Sequence, residues 1–315
     1  MNLKSHLSST FMLDDDTIHK FAMTCPHRYK VYSIPKRNGV GSRTIAHPSK
    51  ELKFFQREIV NYLDSVYQCH ESAFAYVRGR GIKENALSHA RNEYILKMDF
   101  KNFFPSITPE LFFIQARNLS IPIPQRDKSL MRHFLFYKRN RTDSLTLSIG
   151  APSSPIVSNI CMHAFDEIVS HESTLKNIKY SRYADDITFS TTDKDILFSI
   201  PSLVSETLST IYQSQIEVNP NKTIFSSKAH CRFVTGVTLT NQGGISIGRE
   251  RKRIIIAMVH RFILNKLEPK EISKLAGLLA FAKHIEPHFL TRIDLKYGVG
   301  TSAQLLKLSN PHDSD

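Results

Sequence analysis

Two strand-like segments carry acidic side chains beside apolar ones: YILKMDF, which ends just after Asp99, and RYADDITFS, which contains Asp185 and Asp186. Alternation along a strand places Asp99 on the same face as Ile95 and Lys97. The opposite face is apolar and is expected to join the core: Tyr94, Leu96, Met98 and Phe100. In the second segment β-prone residues flank the acidic pair, which predicts a hairpin with the acids at its tip. The chain is therefore expected to bring three carboxylates together.

Unpaired carboxylates repel one another, so their convergence calls for cations. Ligation by oxygen alone favours Mg²⁺ or Mn²⁺ over zinc or copper. Two such ions about 3.5–4 Å apart activate a hydroxyl and stabilise the leaving oxygen of an in-line displacement at phosphorus. Asp99, Asp185 and Asp186 are thus candidate catalytic and metal-binding residues for nucleotidyl transfer, with pyrophosphate leaving. An Asp-Asp pair by itself is more often a turn marker, and its context has to decide.

That context is a resemblance to a known family. The YADD segment at 183–186, DFKNFF at 99–104 and GAPSSP at 150–155 resemble reverse transcriptase motifs. Within that superfamily, NALSH at 85–89, VTG at 234–236 and IGRE at 247–250 resemble a bacterial retron reverse transcriptase. The likeness runs from about Tyr29 to the end of the chain's last predicted helices. It implies an α+β, right-hand polymerase fold of fingers, palm and thumb, with an antiparallel palm sheet backed by helices and a small helical thumb.

The resemblance also implies a division of the chain. Residues 1–92 would form an N-terminal lead and the fingers, 93–248 the palm with a fingers insertion around 107–149, and 249–315 a helical, RNA-binding thumb. Local patterns agree with parts of this division. Asn38-Gly39 predicts a hairpin turn at 36–39, and apolar residues at helical spacing predict a helix over 51–66. From Arg249 onward the pattern becomes helical.

The activity implied is Mg²⁺-dependent, RNA-templated addition of deoxynucleotides. Asp99 and Asp185 would be the principal ligands of two Mg²⁺ ions, for which Mn²⁺ can substitute, with Asp186 a weaker ligand and Phe100 contributing its backbone. Retron enzymes begin from the 2′-hydroxyl of an internal guanosine in their cognate structured noncoding RNA (msr–msd). Their product is a branched RNA–DNA hybrid, msDNA, and they act with an effector or toxin protein in antiphage defence.

A nucleotide pocket is implied by the same motifs. Phe104 would be the steric gate beneath the ribose 2′ position, next to Phe103, although two adjacent phenylalanines are more often core residues. The remaining candidates are Arg43, Gly150, Ala151, Ser153 and Lys222, the last a possible source of positive charge near pyrophosphate. Lys53 is a further candidate beside the triphosphate or template. The chain departs from the family at Ile149, where glutamine is usual, so one polar contact to the nucleotide is in doubt.

RNA contacts are expected on both sides of the acidic segments. The net charge is +13, concentrated in residues 1–92 and 249–315, whereas 93–248 are nearly neutral. Such a distribution favours a polyanion held on both flanks, with a scattered solubilising surface as the alternative. The candidates for RNA binding are Arg78, Arg80, Asn85, His89, Val234, Thr235, Gly236, Arg249, Arg251, Lys252 and Arg253. Taken alone, His89 is more often a packing residue, and the aromatic segment around Arg78 a core strand.

The sequence indicates a cytoplasmic protein with no membrane partner. Its four cysteines are far apart, which favours reduced thiols over disulfides or a cysteine zinc site. No apolar stretch approaches the roughly 20 residues of a membrane helix. Two alternatives stay open. One is another bacterial reverse transcriptase, such as a group II intron or diversity-generating enzyme; the other is an inactive RNA-binding scaffold of a defence complex.

Overall fold

The computed structural model describes residues 3–35, 41–140 and 142–308. The turn predicted at 36–39, the first two residues and those after 308 lie outside the described residues. The helices are α1 Leu3–Phe11, α2 Asp15–Thr24, α3 Lys50–Val66, α4 Ile82–His89, α5 Phe103–Ser106, α6 Pro109–Asn118, α7 Gln125–Leu135, α8 Ser154–Leu175, α9 Ile200–Tyr212, α10 Arg249–Ile263, α11 Pro269–Ile285, α12 His288–Tyr297 and α13 Thr301–Lys307. Short 3₁₀ turns occupy Cys25–His27, Ile196–Ser199 and Pro220–Lys222.

The strands are short, and the longest, β3, belongs to a five-stranded sheet. They are β1 Tyr29–Pro35, β2 Ser42–Pro48, β3 Tyr94–Lys101, β4 Lys179–Tyr183, β5 Asp186–Thr191, β6 Glu217–Val218, β7 Ile224–Ser227, β8 Arg232–Val234, β9 Val237–Leu239 and β10 Ile245–Ser246. β1 and β2 form a separate antiparallel pair in which Tyr29 faces Pro48 and Pro35 faces Ser42. Helices and antiparallel strand pairs thus give an α+β chain.

The chain divides into two compact units. The first contains the residues up to Gly79, Lys97–Thr188 and Asp195–Ile224; the second contains Arg80–Leu96, Phe189–Lys194 and the residues from Phe225 onward. These bounds differ from the fingers, palm and thumb boundaries expected from the sequence, which stay a prediction. Strands β3 and β5 each contribute residues to both units.

β4 and β6 lie in the first unit and belong to a sheet whose strand order is β4-β5-β3-β6, with β7 also pairing with β3. α3 begins after Ser49, whose hydroxyl accepts from the Leu52 N–H at 3.3 Å. Its apolar face places Phe55 against Phe134 of α7, with ring centroids 5.0 Å apart. α8 begins directly after the GAPSSP loop, runs 22 residues and packs against α6 and β4. This long buried helix supports the sheet beneath the acidic residues.

The second unit has its own core. A three-stranded sheet of order β10-β9-β8 packs with α4, and α10 packs with α11. Buried apolar residues of this unit form one cluster: Ala86, Ala90, Ile95, Val234, Val237, Leu239, Ile247, Ile255, Met258, Val259, Leu275, Leu279, Ala282, Ile285, Phe289, Leu290, Ile293 and Leu305. The NALSH, VTG and IGRE motifs therefore all belong to one packed unit.

Candidate active site

Asp99 lies near the end of β3 and is held by main-chain hydrogen bonds on both sides. Its carbonyl oxygen accepts from the Asn219 N–H at 2.7 Å, and the next residue, Phe100, donates its N–H to the Asp185 carbonyl at 3.1 Å. Phe100 also pairs with Val218 of β6. Both faces of this part of β3 are covered, and Asp99 is only 6% exposed. The strand therefore places its acid beside the second acidic segment.

Asp185 and Asp186 lie at the turn between β4 and β5, as the strand pattern predicts. The turn requires a left-handed backbone at Ala184, with φ of 58°, a conformation that costs about 1–2 kcal/mol for a residue with a Cβ. Asp185 is half-buried and Asp186 is exposed. Non-glycine residues in this region are concentrated at functional sites, where the surrounding structure stabilises them.

The electrostatics of the acids show that they influence one another. Burial, and next the charge of Asp99, raise the pKa of Asp185 above its ordinary value, whereas Lys222 and Arg43 oppose that rise. Partial desolvation, then repulsion from Asp185 and Asp99, raise the pKa of Asp186 to about 6. The Lys222 ammonium contacts the Asp99 carboxylate, with Nζ 2.6 Å from Oδ2. Negative charge at this site is thus in excess and partly balanced by two cationic side chains.

These residues fit a divalent cation. The donors are carboxylate oxygens, which hard cations prefer, and excess negative charge is what such a cation would neutralise. Among the described residues, however, no three His, Cys, Asp or Glu side chains are gathered closely enough to hold a metal. Instead, the Lys222 ammonium group donates to the Asp99 carboxylate. The donor chemistry thus suits a hard divalent cation, whereas the described side chains do not enclose one.

A cavity of about 380 Å³ lies in the first unit. Of the predicted nucleotide-binding residues it is lined by Phe104, Gly150 and Ala151. Arg43, Ser153 and Lys222 do not line it, and Phe103 is buried in the core at 3% exposure. Lining residues that sequence reasoning missed or left secondary are His47, Lys53, Arg57, Tyr76, Ser148 and Ile149.

The loop that forms one side of this cavity touches β2 through its backbone. The Ile149 carbonyl accepts from the Ala46 N–H at 3.0 Å. Gly150 has φ of 121°, and a Cβ there would lie 3.3 Å from the Ala46 carbonyl oxygen, so glycine permits this close approach. Ile149 therefore supports the loop through its main chain and gives the cavity an apolar side chain where glutamine was expected.

Several residues expected to bind RNA are buried. Asn85 and His89 are 1% and 0% exposed, and Val234 is 0% exposed. The His89 Nδ1 lies 2.7 Å from the Ser190 hydroxyl, which also accepts from the Asn92 amide at 2.7 Å. Burial argues against direct contact of these residues with RNA and for a role in holding the second unit together.

Other members of the same set are near the surface. Arg78, Gly236, Arg249 and Arg253 are exposed, and Arg80, Thr235, Arg251 and Lys252 are half-buried. Arg251 donates to the Gly236 carbonyl at 2.6 Å, and Lys252 pairs with Glu286 at 2.6 Å. The Thr235 hydroxyl donates to the Ile82 carbonyl at 3.4 Å. The VTG motif is thereby joined to both α4 and α10.

A buried ion pair below the acidic turn was not predicted from the sequence. Arg182, three residues before Asp185, is fully buried and binds Asp166 of α8, with Nη2 2.6 Å from Oδ2. The sequence shows only an arginine within the mixed polar and aromatic strand KYSRY. Its partner is 16 residues away on a helix, so spacing alone could not identify the pair.

Comparison with known proteins identifies the family. A family model described as reverse transcriptase (RNA-dependent DNA polymerase) matches residues 34–239. The retron Ec83 reverse transcriptase of Escherichia coli is 45% identical over 283 residues, which cover 89% of this chain and 90% of that protein. The retron Ec73 reverse transcriptase of the same organism is 34% identical, covering 87% and 89%. This chain belongs to the bacterial retron reverse transcriptases.

The predicted enzyme class and fold are confirmed. Retron reverse transcriptases are RNA-directed DNA polymerases, and the family implies dependence on a divalent metal. The telomerases of Candida albicans and Candida tropicalis, each solved with a TWJ fragment of telomeric RNA, give TM-scores of 0.50 and 0.51 at 15% and 14% identity. They cover 89% and 97% of this chain, which spans 58% and 64% of theirs. At that identity they support the right-hand polymerase fold alone.

The retron reverse transcriptase shows no membrane-spanning candidate in the part of the chain that the structure describes. No helix there combines sufficient length with sufficient apolar character to cross a bilayer.

Proposed function

We propose that this retron reverse transcriptase copies its own structured noncoding RNA, starting from the 2′-hydroxyl of an internal guanosine, and leaves a branched RNA–DNA product. The observation that carries the polymerase site is the pair of strands that brings Asp99 and Asp185 together, with the Phe100 N–H bonded to the Asp185 carbonyl. The similarity to retron enzymes over most of the chain supports the retron type of template and primer. The substrates are deoxynucleoside triphosphates.

Asp99 and Asp185 are the proposed principal ligands for two Mg²⁺ ions, with Asp186 and the Phe100 backbone as weaker contributors. When bound, the ions supply Lewis acidity to the attacking hydroxyl and to the leaving pyrophosphate, and Mn²⁺ can substitute. Lys222, at 51% side-chain exposure and 2.6 Å from Asp99, is a mobile ammonium group that can move from this carboxylate to the departing phosphates. Arg43 is proposed to bind the triphosphate, since its charge already acts on Asp185.

The cavity beside Gly150 and Ala151 is the proposed place for the nucleotide's base and sugar. Phe104 lies in its wall at partial exposure, where an aromatic ring can exclude a ribose 2′-hydroxyl. Ser153, whose buried hydroxyl has no hydrogen-bond partner among the described residues, and Phe103 lie behind this wall. These positions support selection of deoxynucleotides through shape more than through polar contacts.

The proposed RNA contacts rest on the exposed cations. Arg78, Arg249 and Arg253 are free to reach phosphates and 2′-hydroxyls, the features by which structured RNA is recognised. The buried Asn85, His89 and Val234 would act indirectly by shaping the second unit. Action with an effector protein in antiphage defence, inside the cytoplasm, is part of the same proposal and rests on the retron relationship alone.

The test is extension of the co-expressed native RNA by purified wild type and by Asp185→Asn, with deoxynucleotides and Mg²⁺, followed by debranching enzyme. We expect DNA from the wild type only, with a mobility shift after debranching. DNA that does not shift would refute 2′-priming and leave a generic reverse transcriptase. Tight RNA binding without DNA synthesis by the wild type would favour the scaffold alternative.

A further inference from the structure

One buried ion pair lies directly beneath the acidic turn, and the proposed chemistry does not use it. Arg182 and Asp166 are both fully buried. The arginine donates through Nε to Oδ1 at 2.8 Å and through Nη2 to Oδ2 at 2.6 Å. The Tyr180 hydroxyl donates to the same Oδ1 at 2.7 Å. Burial of a charged pair is costly and is often no more stabilising than an apolar pair, so its presence calls for a further explanation.

The remaining donors of Arg182 point to that explanation. Nη1 donates to the carbonyl of Ala184 at 3.2 Å, the residue whose left-handed backbone forms the acidic turn. A left-handed residue with a Cβ persists only where its surroundings stabilise it. The guanidinium is planar and rigid. Because Nε and Nη2 are held by Asp166, the direction of the Nη1 donor is fixed as well. The Ala184 carbonyl belongs to the peptide bond that precedes Asp185. The buried Arg182 guanidinium therefore fixes the position of the main chain just before Asp185.

The same guanidinium reaches the cavity wall through one more side chain. Nη2 donates to Oδ1 of Asn159 at 3.1 Å, and the Asn159 amide donates to the Ala75 carbonyl at 3.2 Å. The next residue, Tyr76, lines the cavity, is 54% exposed and has a left-handed φ of 65°. An exposed aromatic residue in this conformation is unusual and fits a functional position.

The backbone of Arg182 completes this connection. Its N–H donates to the Ser72 carbonyl, and its carbonyl accepts from the Phe74 N–H, both at 2.8 Å. Ala184 is thus one hydrogen bond from a single buried arginine, and Ala75, the residue before Tyr76, is two hydrogen bonds from it.

We infer that Arg182 is a positioning residue of the polymerase site. Anchored by Asp166, it sets the turn that presents Asp185 for metal binding. Through Asn159 it sets the backbone before Tyr76, so that the metal-binding turn and the cavity wall keep one relative arrangement. The inference rests on the proposed role of Asp185 as a metal ligand.

The test must separate positioning from folding, because Arg182→Met alone leaves the Asp166 charge buried without a partner. The double variant Arg182→Met/Asp166→Leu removes both charges and keeps an apolar interior. We expect it to retain the wild-type circular dichroism spectrum. We expect kcat for primer extension on an RNA template to fall about 100-fold, the scale of a misplaced reactive group. We also expect the dissociation constant for Mn²⁺, measured by electron paramagnetic resonance without nucleotide, to rise about tenfold.

A folded double variant with wild-type kcat and wild-type Mn²⁺ affinity would overturn the inference. If the double variant does not fold, a matched pair of milder variants decides. Tyr180→Phe removes the hydroxyl that binds Asp166, whereas Tyr212→Phe removes an equally buried hydroxyl that donates to the Cys161 carbonyl at 2.8 Å. We expect a several-fold lower kcat and weaker Mn²⁺ binding for Tyr180→Phe only.

Equal values in the two tyrosine variants would also overturn the inference. Measurement of the wild type in the same assay distinguishes failure of the proposed function from failure of the positioning role. Absence of extension by the wild type would count against the proposed function. Normal extension by the wild type and by all folded variants would count only against the positioning role of Arg182.

Discussion

Replacement of His89 by alanine tests whether the NALSH motif holds the second unit together or contacts RNA. The side chain is fully buried, and its Nδ1 lies 2.7 Å from the Ser190 hydroxyl. The Ser190 hydroxyl both donates and accepts, so it forms this hydrogen bond with either tautomer of His89 while its oxygen accepts from the Asn92 amide. Loss of the imidazole therefore leaves a cavity and a buried hydroxyl with one hydrogen-bond partner fewer.

The expected loss in the free energy of unfolding follows from the cavity and from the lost hydrogen bond. Truncating a buried side chain of this size costs about 2 kcal/mol or more. Leaving the hydroxyl unsatisfied adds about 1 kcal/mol. Ser190→Ala should cost about 1 kcal/mol, and the double variant should show a coupling energy of about 1 kcal/mol in a double-mutant cycle. His89→Ala is thus expected to destabilise the second unit by about 3 kcal/mol.

The assay has to report on the second unit, since unfolding of a chain with two compact units need not be two-state. Hydrogen exchange by mass spectrometry on peptides from α4 and β5 measures that unit locally, and far-UV circular dichroism gives the global transition. Binding of the native RNA is measured in parallel, well below the transition. Unchanged exchange together with a tenfold or greater loss of RNA affinity would refute the structural reading and show that His89 contacts RNA.

Three further outcomes are expected at the first unit. Phe104→Ala should reduce discrimination against ribonucleotides by about 10–100-fold, measured as the ratio of kcat/KM for dNTP and rNTP, and an unchanged ratio would exclude the gate. Lys222→Met should lower kcat by about 100-fold while leaving RNA binding intact; an effect on binding alone would contradict its role near pyrophosphate. Asp186 has its folded pKa raised to about 6, so its charge opposes folding and stability falls as pH rises from about 4 to 6. Asp186→Asn should therefore raise the metal-free melting temperature slightly at pH 7.5, by no more than the equivalent of about 1 kcal/mol because the side chain is exposed, and a lower melting temperature would contradict the repulsion.

The acidic segments could be predicted because their signal is local. Period-2 alternation around Asp99 and the β-prone residues beside Asp185 define strand faces and a turn without knowledge of any distant contact. The same holds for α3, whose apolar residues recur at helical spacing from Leu52 to Leu63. The strand that carries Asp99 and the turn at Asp185 were therefore accessible from the sequence, whereas metal binding by these acids stays a prediction.

Contacts between distant segments were not accessible in this way. The Asp166–Arg182 pair joins a helix to a strand, and the Gln56 amide of α3 donates to the Phe134 carbonyl of α7 at 2.8 Å. Neither spacing has a period that predicts a contact. Burial of His89 depends on packing within the second unit, which is assembled from three separate stretches of chain. Long-range assembly thus decides which polar motif residues face solvent.

The general polymerase motifs and the retron-type motifs are divided between the two units. Asp99, Asp185, Lys222 and Gly150 belong to the first unit, whereas NALSH, VTG and IGRE belong to the second. In the second unit Arg251 and Thr235 hold the VTG turn to α10 and α4 through main-chain carbonyls. A change there would alter the shape of the unit that we propose to contact RNA without touching an acidic residue of the proposed metal site. We therefore expect substitutions in the second unit to abolish priming on the native RNA. Extension of a simple annealed primer should be preserved in the same variants.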